Sequence, residues 1–400
     1  MEMKMALRTL DDFNLKNKNV LIRVDMNVPI HNGQVTDSTR LSRAVPTILE
    51  VLEKGGRPIL LSHFGRPTRG FDLTMSTQQA VTALSNRLKK RVHFASSCIG
   101  ETAQLAVSTL PIGDVLLLEN TRFHQGEKKN DPEFAAELAK LGDIFVSDTF
   151  STAHRAHASV EAIAHIMPSC AGRLMEEEIS KLENALSSPE KPVMAIVGGA
   201  KVSSKLLLLE NLIKPMDKIV IGGGMANTFL AAQGHNIGQS LCEHEMQDTA
   251  RSIIKNAEKM NCEIILPIDI VVAKEFSKNT EYEILKSDAC PADSMILDAG
   301  PATVKLIKNH LNETKTIIWN GPLGAFEVPP FNKATDEAAE YVANLTIAGK
   351  ILSVAGGGDT VSALNGSGSA DKFTYISTAG GAFLEWLEGK TLPGVAVLMS

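Results

Sequence analysis

Three short apolar runs in the second half of the chain end in clusters of glycine. Residues 193–197 run into Gly198-Gly199-Ala200-Lys201, residues 219–221 into Gly222-Gly223-Gly224, and residues 351–355 into Gly356-Gly357-Gly358-Asp359. Strand-end glycines let backbone N–H groups come close to a polyphosphate. In the first half the apolar runs end instead in Arg23-Val24-Asp25, His63-Phe64-Gly65-Arg66 and Arg122-Phe123-His124. Strand-end arginines clamp a small anion by charge and paired hydrogen bonds. One half reads as a nucleotide site and the other as an anionic-substrate site, a division that suggests group transfer across a cleft.

The nucleotide half departs from common fingerprints. In Gly198-Gly199-Ala200-Lys201-Val202-Ser203-Ser204-Lys205 the glycine and lysine spacing is not that of a P-loop. A helix starting near Lys201 would put Lys201 and Lys205 on one face of its first turn, beside the positive helix end. A tight strand-to-helix turn with exposed lysines explains the same residues. In Gly222–Asn227, Asn227 stands where a dinucleotide fingerprint has its last glycine, so a packing turn competes with a ligand contact. Gly356-Gly357-Gly358-Asp359-Thr360 combines exposed amides, a carboxylate suited to hydrated Mg²⁺ and a helix-start hydroxyl, which is also compatible with a simple N-cap. Glu327, in the loop after Trp319-Asn320-Gly321, could accept from ribose hydroxyls or be a solvated acid.

In the anion half, Arg40, His63, Arg66, Arg122, His154, Arg155 and His157 fall at or just after expected strand ends. Seven basic groups at one sheet edge would repel one another unless an anion sits among them. Asp25 and Asn27 add groups suited to a hydroxyl. The His-Arg-Ala-His spacing lacks an acidic partner and carries Arg155, which opposes a zinc reading. No Gly-x-Ser-x-Gly elbow supports a hydrolase.

The elements that must position these groups alternate. Apolar runs at 20–24, 59–61, 115–118, 144–146, 193–197, 218–221, 263–266, 316–319 and 351–355 are separated by helical patterns such as 40–54, 249–260 and 334–348. That alternation predicts right-handed crossovers and an α/β fold: two doubly wound parallel-sheet (Rossmann-like) domains, with ligands beyond the carboxyl ends of the strands. At 400 residues two domains of about 200 residues each are expected. Leu174, Ile179, Leu182 and Leu186 form an apolar stripe on a helix that Ser187-Ser188-Pro189-Glu190-Lys191-Pro192 stops, a natural hinge. Asn32-Gly33 reads as a tight turn.

Composition sets further bounds. The chain is 44% apolar and 22% charged with net charge −6, which argues against a nucleic-acid partner. No apolar stretch approaches the roughly 20 residues that cross a bilayer. Nothing at the amino end resembles a signal peptide, so no membrane partner and a cytoplasmic location are expected. Five scattered cysteines without a Cys-x-x-Cys support neither a disulfide framework nor a zinc site.

The sequence resembles the phosphoglycerate kinase family over essentially its whole length. The resemblance is carried by residues 23–29 (Arg-Val-Asp-Met-Asn-Val-Pro), 63–67, 119–123, 153–159, 198–205, 222–229, 319–327, 356–360 and 377–382. It implies reversible phosphoryl transfer between 1,3-bisphosphoglycerate and ADP, giving 3-phosphoglycerate and ATP with Mg²⁺, by a monomer whose two domains close. It implies that Asp25, Asn27, Arg40, His63, Arg66, Arg122 and Arg155 hold phosphoglycerate. Gly199, Lys201, Lys205, Gly223, Asn320, Glu327, Gly357, Gly358, Asp359 and Thr360 would hold the nucleotide, with Asp359 on the metal and Arg40, Lys205 and Gly380 at the reacting centre. The implied domains are residues 1–172 for phosphoglycerate, a connecting helix and linker at 173–192, 193–381 for nucleotide, and 382–400 returning to the first domain. Ala379, Ala325 and Ser151 stand where glycine, valine and glycine are expected.

A nicotinamide dehydrogenase would need the Gly-x-Gly-x-x-Gly that is missing here. A nucleotide sensor without catalysis would have lost the arginines. The transfer itself needs no general base, because a carboxylate acceptor has no proton to lose; positioning and neutralisation suffice.

Overall fold

The structure is a computed structural model that describes residues 7–31, 33–68, 70–186, 189–377 and 379–399. Asn32 of the expected turn, Ser187-Ser188 of the linker, Thr378, Ser400 and the side chain of Leu186 lie outside the described residues. The chain divides into two compact units, Met1–Ser180 with Thr391–Ser400, and Lys181–Lys390.

The first unit is built on six strands: β1 (Asn19–Arg23), β2 (Arg57–Leu61), β3 (Val92–Ala95), β4 (Val115–Leu118), β5 (Ile144–Ser147) and β6 (Ser169–Ala171). They lie in the order β3-β4-β2-β1-β5-β6, and every pair is parallel. Side chains alternate across a strand, so a sheet covered on both faces needs apolar residues at every position. Along β1, Val20 and Ile22 enter one buried cluster while Leu21 enters the other. Leu60 and Val146 join the first, and Ile59, Leu61 and Phe145 the second. β1 is the strand from which the order reverses, with β2 on one side and β5 on the other. In an open sheet the crevice between β1 and β5 is where a ligand can enter.

The second unit repeats the plan with β7 (Val193–Gly198), β8 (Lys218–Gly222), β9 (Glu263–Ile265), β10 (Asp269–Ala273), β11 (Tyr282–Lys286), β12 (Met295–Ala299), β13 (Thr316–Asn320), β14 (Leu352–Gly356) and β15 (Tyr375–Ser377). The parallel sheet runs β9-β8-β7-β13-β14-β15, with its switch point between β7 and β13. The sequence pattern did not reveal β10, β11 and β12, which form a separate antiparallel sheet in the order β11-β10-β12.

The helix Arg173–Leu186 is continuous, and the division between units falls within it at 180/181, inside the expected connecting segment 173–192. Thr391–Ser400 group with the first unit and residues 382–390 with the second. The reason is burial: the helix Gly381–Leu387 buries Ala382, Phe383 and Leu387, with the Phe383 ring packed over Gly356. From Thr391 onward, Leu392, Val395 and Leu398 are buried, and the Gly394 N–H donates to the Ala153 carbonyl at 2.8 Å.

The helix Arg173–Leu186 starts from a buried carboxylate. Asp148, just past β5, accepts from the Leu174 and Met175 N–H groups at 2.9 and 3.3 Å. Burial pushes its carboxyl up to about 7 despite those bonds. A folded-state value above the ordinary 3.8 means that the folded protein holds a proton that the unfolded chain releases. The stability carried by this group is therefore full at acidic pH and is lost as pH rises through about 7. Asp148→Asn keeps an acceptor for the helix start without the charge. Its stability relative to the parent is expected to improve steadily from about pH 4 to about pH 7 and then level off, measured by urea unfolding across that range.

Candidate active site

In the first unit the expected phosphoglycerate groups gather at the carboxyl ends of β1, β2, β4 and β5. Arg40 sits in the first turn of the helix Thr39–Glu53, and its Nη1 donates to Asp25 Oδ2 and to the Asn27 carbonyl, each at 3.0 Å. Ser151 Oγ donates to the same Asp25 oxygen at 2.7 Å, and the Asn27 N–H donates to the other at 3.0 Å. Ser151, where glycine was expected, thus adds a hydroxyl to the carboxylate. The Gly65 N–H donates to Asn27 Oδ1 at 2.9 Å, while Arg122 Nη1 donates to the Gly65 carbonyl at 2.7 Å. Arg66 is exposed and Arg155 half-buried, its Nε donating to His154 Nε2 at 3.0 Å.

Two residues with no assigned role build the frame. Asn120 accepts from the Phe64 and Arg122 N–H groups and donates to the Phe64 and Met75 carbonyls, at 2.7–3.1 Å. Glu119, also buried, accepts from Ser76, from Thr77 and from the Asn120 N–H. The sequence marked this Glu-Asn pair only as part of a motif.

The electrostatics correct one expectation. The basic groups are not seven cations. Burial, followed by Arg23 and Arg122, holds His63 well below the usual imidazole range. Burial, with Arg122 and Arg23 after it, holds His157 at about 4. Both rings are neutral at pH 7. Arg122 is itself drawn down to about 10, by burial first and then by Arg155 and Arg23. A cluster in which burial and neighbouring cations act against an arginine's charge is short of negative charge, as an anion site should be.

In the second unit the ends of β7 and β13 come together because both carry glycine. A side chain on Gly198 would strike the Pro322 carbonyl, and one on Gly321 the Gly198 carbonyl. Asn320, at the end of β13, is buried, with its carboxamide oxygen accepting from Lys205 Nζ and its nitrogen donating to the Gly356 carbonyl at 2.7 Å. Gly357 has φ +99°, and an added Cβ would lie 2.7 Å from Asn320 Nδ2. Thr360 is buried, with its hydroxyl oxygen accepting the Gly321 N–H at 2.7 Å. Lys205, Asn320, Gly357 and Thr360 thus form one cluster. Asp359, exposed beside it in the first turn of the helix Gly358–Gly366, partly offsets the burial that lowers the Lys205 ammonium.

The expected helix start at Lys201 is wrong. The helix is Leu206–Ile213, and residues 201–205 form a turn. Glu243 accepts from the Ser203 N–H and hydroxyl at 3.0 and 2.5 Å, and so holds the turn outside the helix. Lys201 is exposed and Lys205 half-buried, so the two do not share a helical face.

A cavity of about 350 Å³ adjoins this cluster, lined by Gly199, Gly223, Glu327 and Asp359 together with apolar groups including Leu241, Phe276, Leu297 and Phe326. Its apolar lining was missed in the sequence, although Met295–Ala299 runs into Gly300 just as the recognised strands run into glycine. Gly380, with φ +54° before the helix Gly381–Leu387, belongs to neither the cavity lining nor the lysine cluster.

An α/β unit with an arginine cluster at its switch point, and another with glycine turns, a lysine and a carboxylate, define a phosphotransferase. The family model for phosphoglycerate kinase matches residues 10–390. The phosphoglycerate kinase of Ruegeria sp. (strain TM1040) is 58% identical over 396 residues, spanning 99% of this chain and 100% of that protein. The solved phosphoglycerate kinase of Coxiella burnetii has a TM-score of 0.91 at 41% identity, covering 98% of this chain and 99% of that one. That of Pyrococcus horikoshii OT3 has a TM-score of 0.78 at 30% identity, covering 98% of each chain. The chain belongs to the phosphoglycerate kinase family.

Proposed function

We propose that this chain, a phosphoglycerate kinase by family, works through the two half-sites described. The reaction is reversible phosphoryl transfer between 1,3-bisphosphoglycerate and ADP, giving 3-phosphoglycerate and ATP. The observation that carries the assignment of parts is the pairing of an arginine cluster short of carboxylates in one unit with a desolvated lysine beside glycine turns in the other.

In this reading Arg40, Arg66, Arg122 and Arg155 hold the phosphate and carboxylate of phosphoglycerate, Asp25 and Asn27 its hydroxyl, and His63 donates a hydrogen bond. Lys205 neutralises the transferring phosphoryl, with Arg40 at the acceptor end. Lys201 and the amides of Gly199, Gly223, Gly357 and Gly358 meet the nucleotide phosphates, and Glu327 the ribose. Asn320 and Thr360 act chiefly by holding Lys205 and the β13 turn. Gly380 is kept as a backbone donor to the phosphoryl. The nucleotide arrives as its Mg²⁺ complex. Mg²⁺ keeps most of its shell as phosphate oxygen and water, so a single exposed carboxylate, Asp359, fits it. A monomer in the cytoplasm, with no nucleic-acid or membrane partner, completes the proposal. A coupled assay with 3-phosphoglycerate, ATP and Mg²⁺ tests it, and no turnover above background would overturn it.

Lys205→Ala removes the desolvated charge. Turnover is expected to fall roughly 100- to 1,000-fold while 3-phosphoglycerate affinity, measured by calorimetry, stays within about twofold. Asp359→Ala is expected to weaken Mg–nucleotide binding while metal-free nucleotide binds as well or better, because a carboxylate repels phosphate until a cation intervenes. Calorimetry with Mg²⁺ and with a chelator separates the two. Domain closure on the paired substrates belongs to the same proposal. Small-angle scattering should show the radius of gyration falling with both ligands together and much less with either alone.

A further inference from the structure

Arg23 ends β1 with only 1% of its surface exposed, and it was not among the residues expected to bind phosphoglycerate. All three of its nitrogens are engaged. Nε donates to Ser159 Oγ at 2.9 Å, Nη1 to the Val24 carbonyl at 2.5 Å, and Nη2 lies 2.9 Å from His63 Nδ1. A guanidinium has donors and no acceptor. His63 Nδ1 must therefore accept, which leaves the single ring proton of a neutral imidazole on Nε2. A second proton on Nδ1 would set N–H against N–H and bury two cations side by side.

The orientation of Arg23 is fixed from behind by the same logic. Because Ser159 Oγ accepts from Arg23, its one proton goes to Glu127 Oε1 at 2.6 Å, and the Ser159 N–H donates to Oε2 at 3.0 Å. Glu127 is completely buried and compensates the Arg23 charge through the serine. Every donor along Glu127, Ser159, Arg23 and His63 thus has one permitted direction. The other charged and titratable groups acting on His63 are Arg122, Arg155 and His157, and all oppose a charge on the ring.

We propose that Arg23 is a positioning residue for phosphoglycerate binding: it locks His63 as the Nε2–H tautomer, so that the anion meets an uncharged, directed donor there instead of another cation. The proposal rests on phosphoglycerate occupying this cluster. Its consequence is that the His63 contribution to affinity does not change across the pH range in which an ordinary histidine titrates.

The test begins with ¹⁵N-labelled full-length protein and no ligand, so that the ring is read independently of what binds. Long-range ¹H–¹⁵N spectra, assigned by the signal lost in His63→Gln, should show a bare Nδ1 and a protonated Nε2 unchanged from about pH 8 to about pH 5. A ring that titrates within that window, or that carries its proton on Nδ1, overturns the proposal. The second arm is Arg23→Met, which removes the donor and the charge. His63 should then lose its fixed tautomer and take up a second proton at higher pH than in the parent, with burial, Arg122 and Arg155 still holding it below the ordinary imidazole range. The ratio of variant to parent KM for 3-phosphoglycerate should fall several-fold from about pH 8 to about pH 5, because a cationic ring attracts the anion. Taking the ratio cancels the substrate's own titration. Ser159→Ala removes no charge and serves where Arg23→Met does not fold, with the same direction and a smaller effect. A ring that stays locked in whichever of these variants folds overturns the role of Arg23. Failure of 3-phosphoglycerate to bind the parent would instead remove the assignment of the cluster, with the ring signature unaffected.

Discussion

Cations taken out of water and set close together are unstable unless something supplies the missing negative charge. That constraint organises the first unit. Arg23 and Arg122 are almost wholly buried, with Arg155 near them, and the opposing carboxylates are few. The structure meets the deficit in two ways. Glu127 is buried with Arg23 through Ser159, and the histidines nearest the cluster stay neutral. What remains is an excess of positive charge that an incoming anion would relieve, so that in the proposed reading affinity for phosphate and carboxylate belongs to the frame as much as to any one contact.

The second unit solves a different problem. In the proposed mechanism, a lysine that meets a phosphoryl group away from water has to be held before the ligand arrives. Lys205 is tied to Asn320, which is tied to Gly356, while Thr360 fixes the N–H of Gly321. The glycines serve this arrangement by absence. With no side chain at Gly198 or Gly321, the ends of β7 and β13 approach closely enough for Asn320 to span the gap. Preorganisation of this kind lowers the reorganisation needed when charge develops.

How much of this was legible in the sequence depended on whether the signal was local. Continuous apolar runs ending in glycine or arginine marked the central strands of both sheets, because buried parallel strands leave no alternation to misread. The strand Tyr282–Lys286 is exposed along most of its length and carries charge at Glu283 and Lys286, so no apolar pattern announced it. Ser169–Ala171 has three residues, too few to show a period. The helix start at Leu206 was misplaced because Glu243, some forty residues away in sequence, holds the preceding turn. Arg23 was read only as one more strand-end arginine. Its burial, its tie to His63 and the partner role of Glu127 arise from contacts between distant segments.

Ser151 carries a consequence of its own. The carboxylate of Asp25 already accepts a hydroxyl, as well as Arg40 and the Asn27 N–H. Any ligand hydroxyl that reaches Asp25 must either share this crowded acceptor or displace the serine from it. The gain is then a difference between two similar bonds, not the worth of a whole one. A chain with serine at this position exchanges one alcohol for another at its carboxylate. Where Asp25 meets the ligand hydroxyl as proposed, the preference for a hydroxylated over a deoxygenated ligand is blunted there and comes more from shape and charge around it.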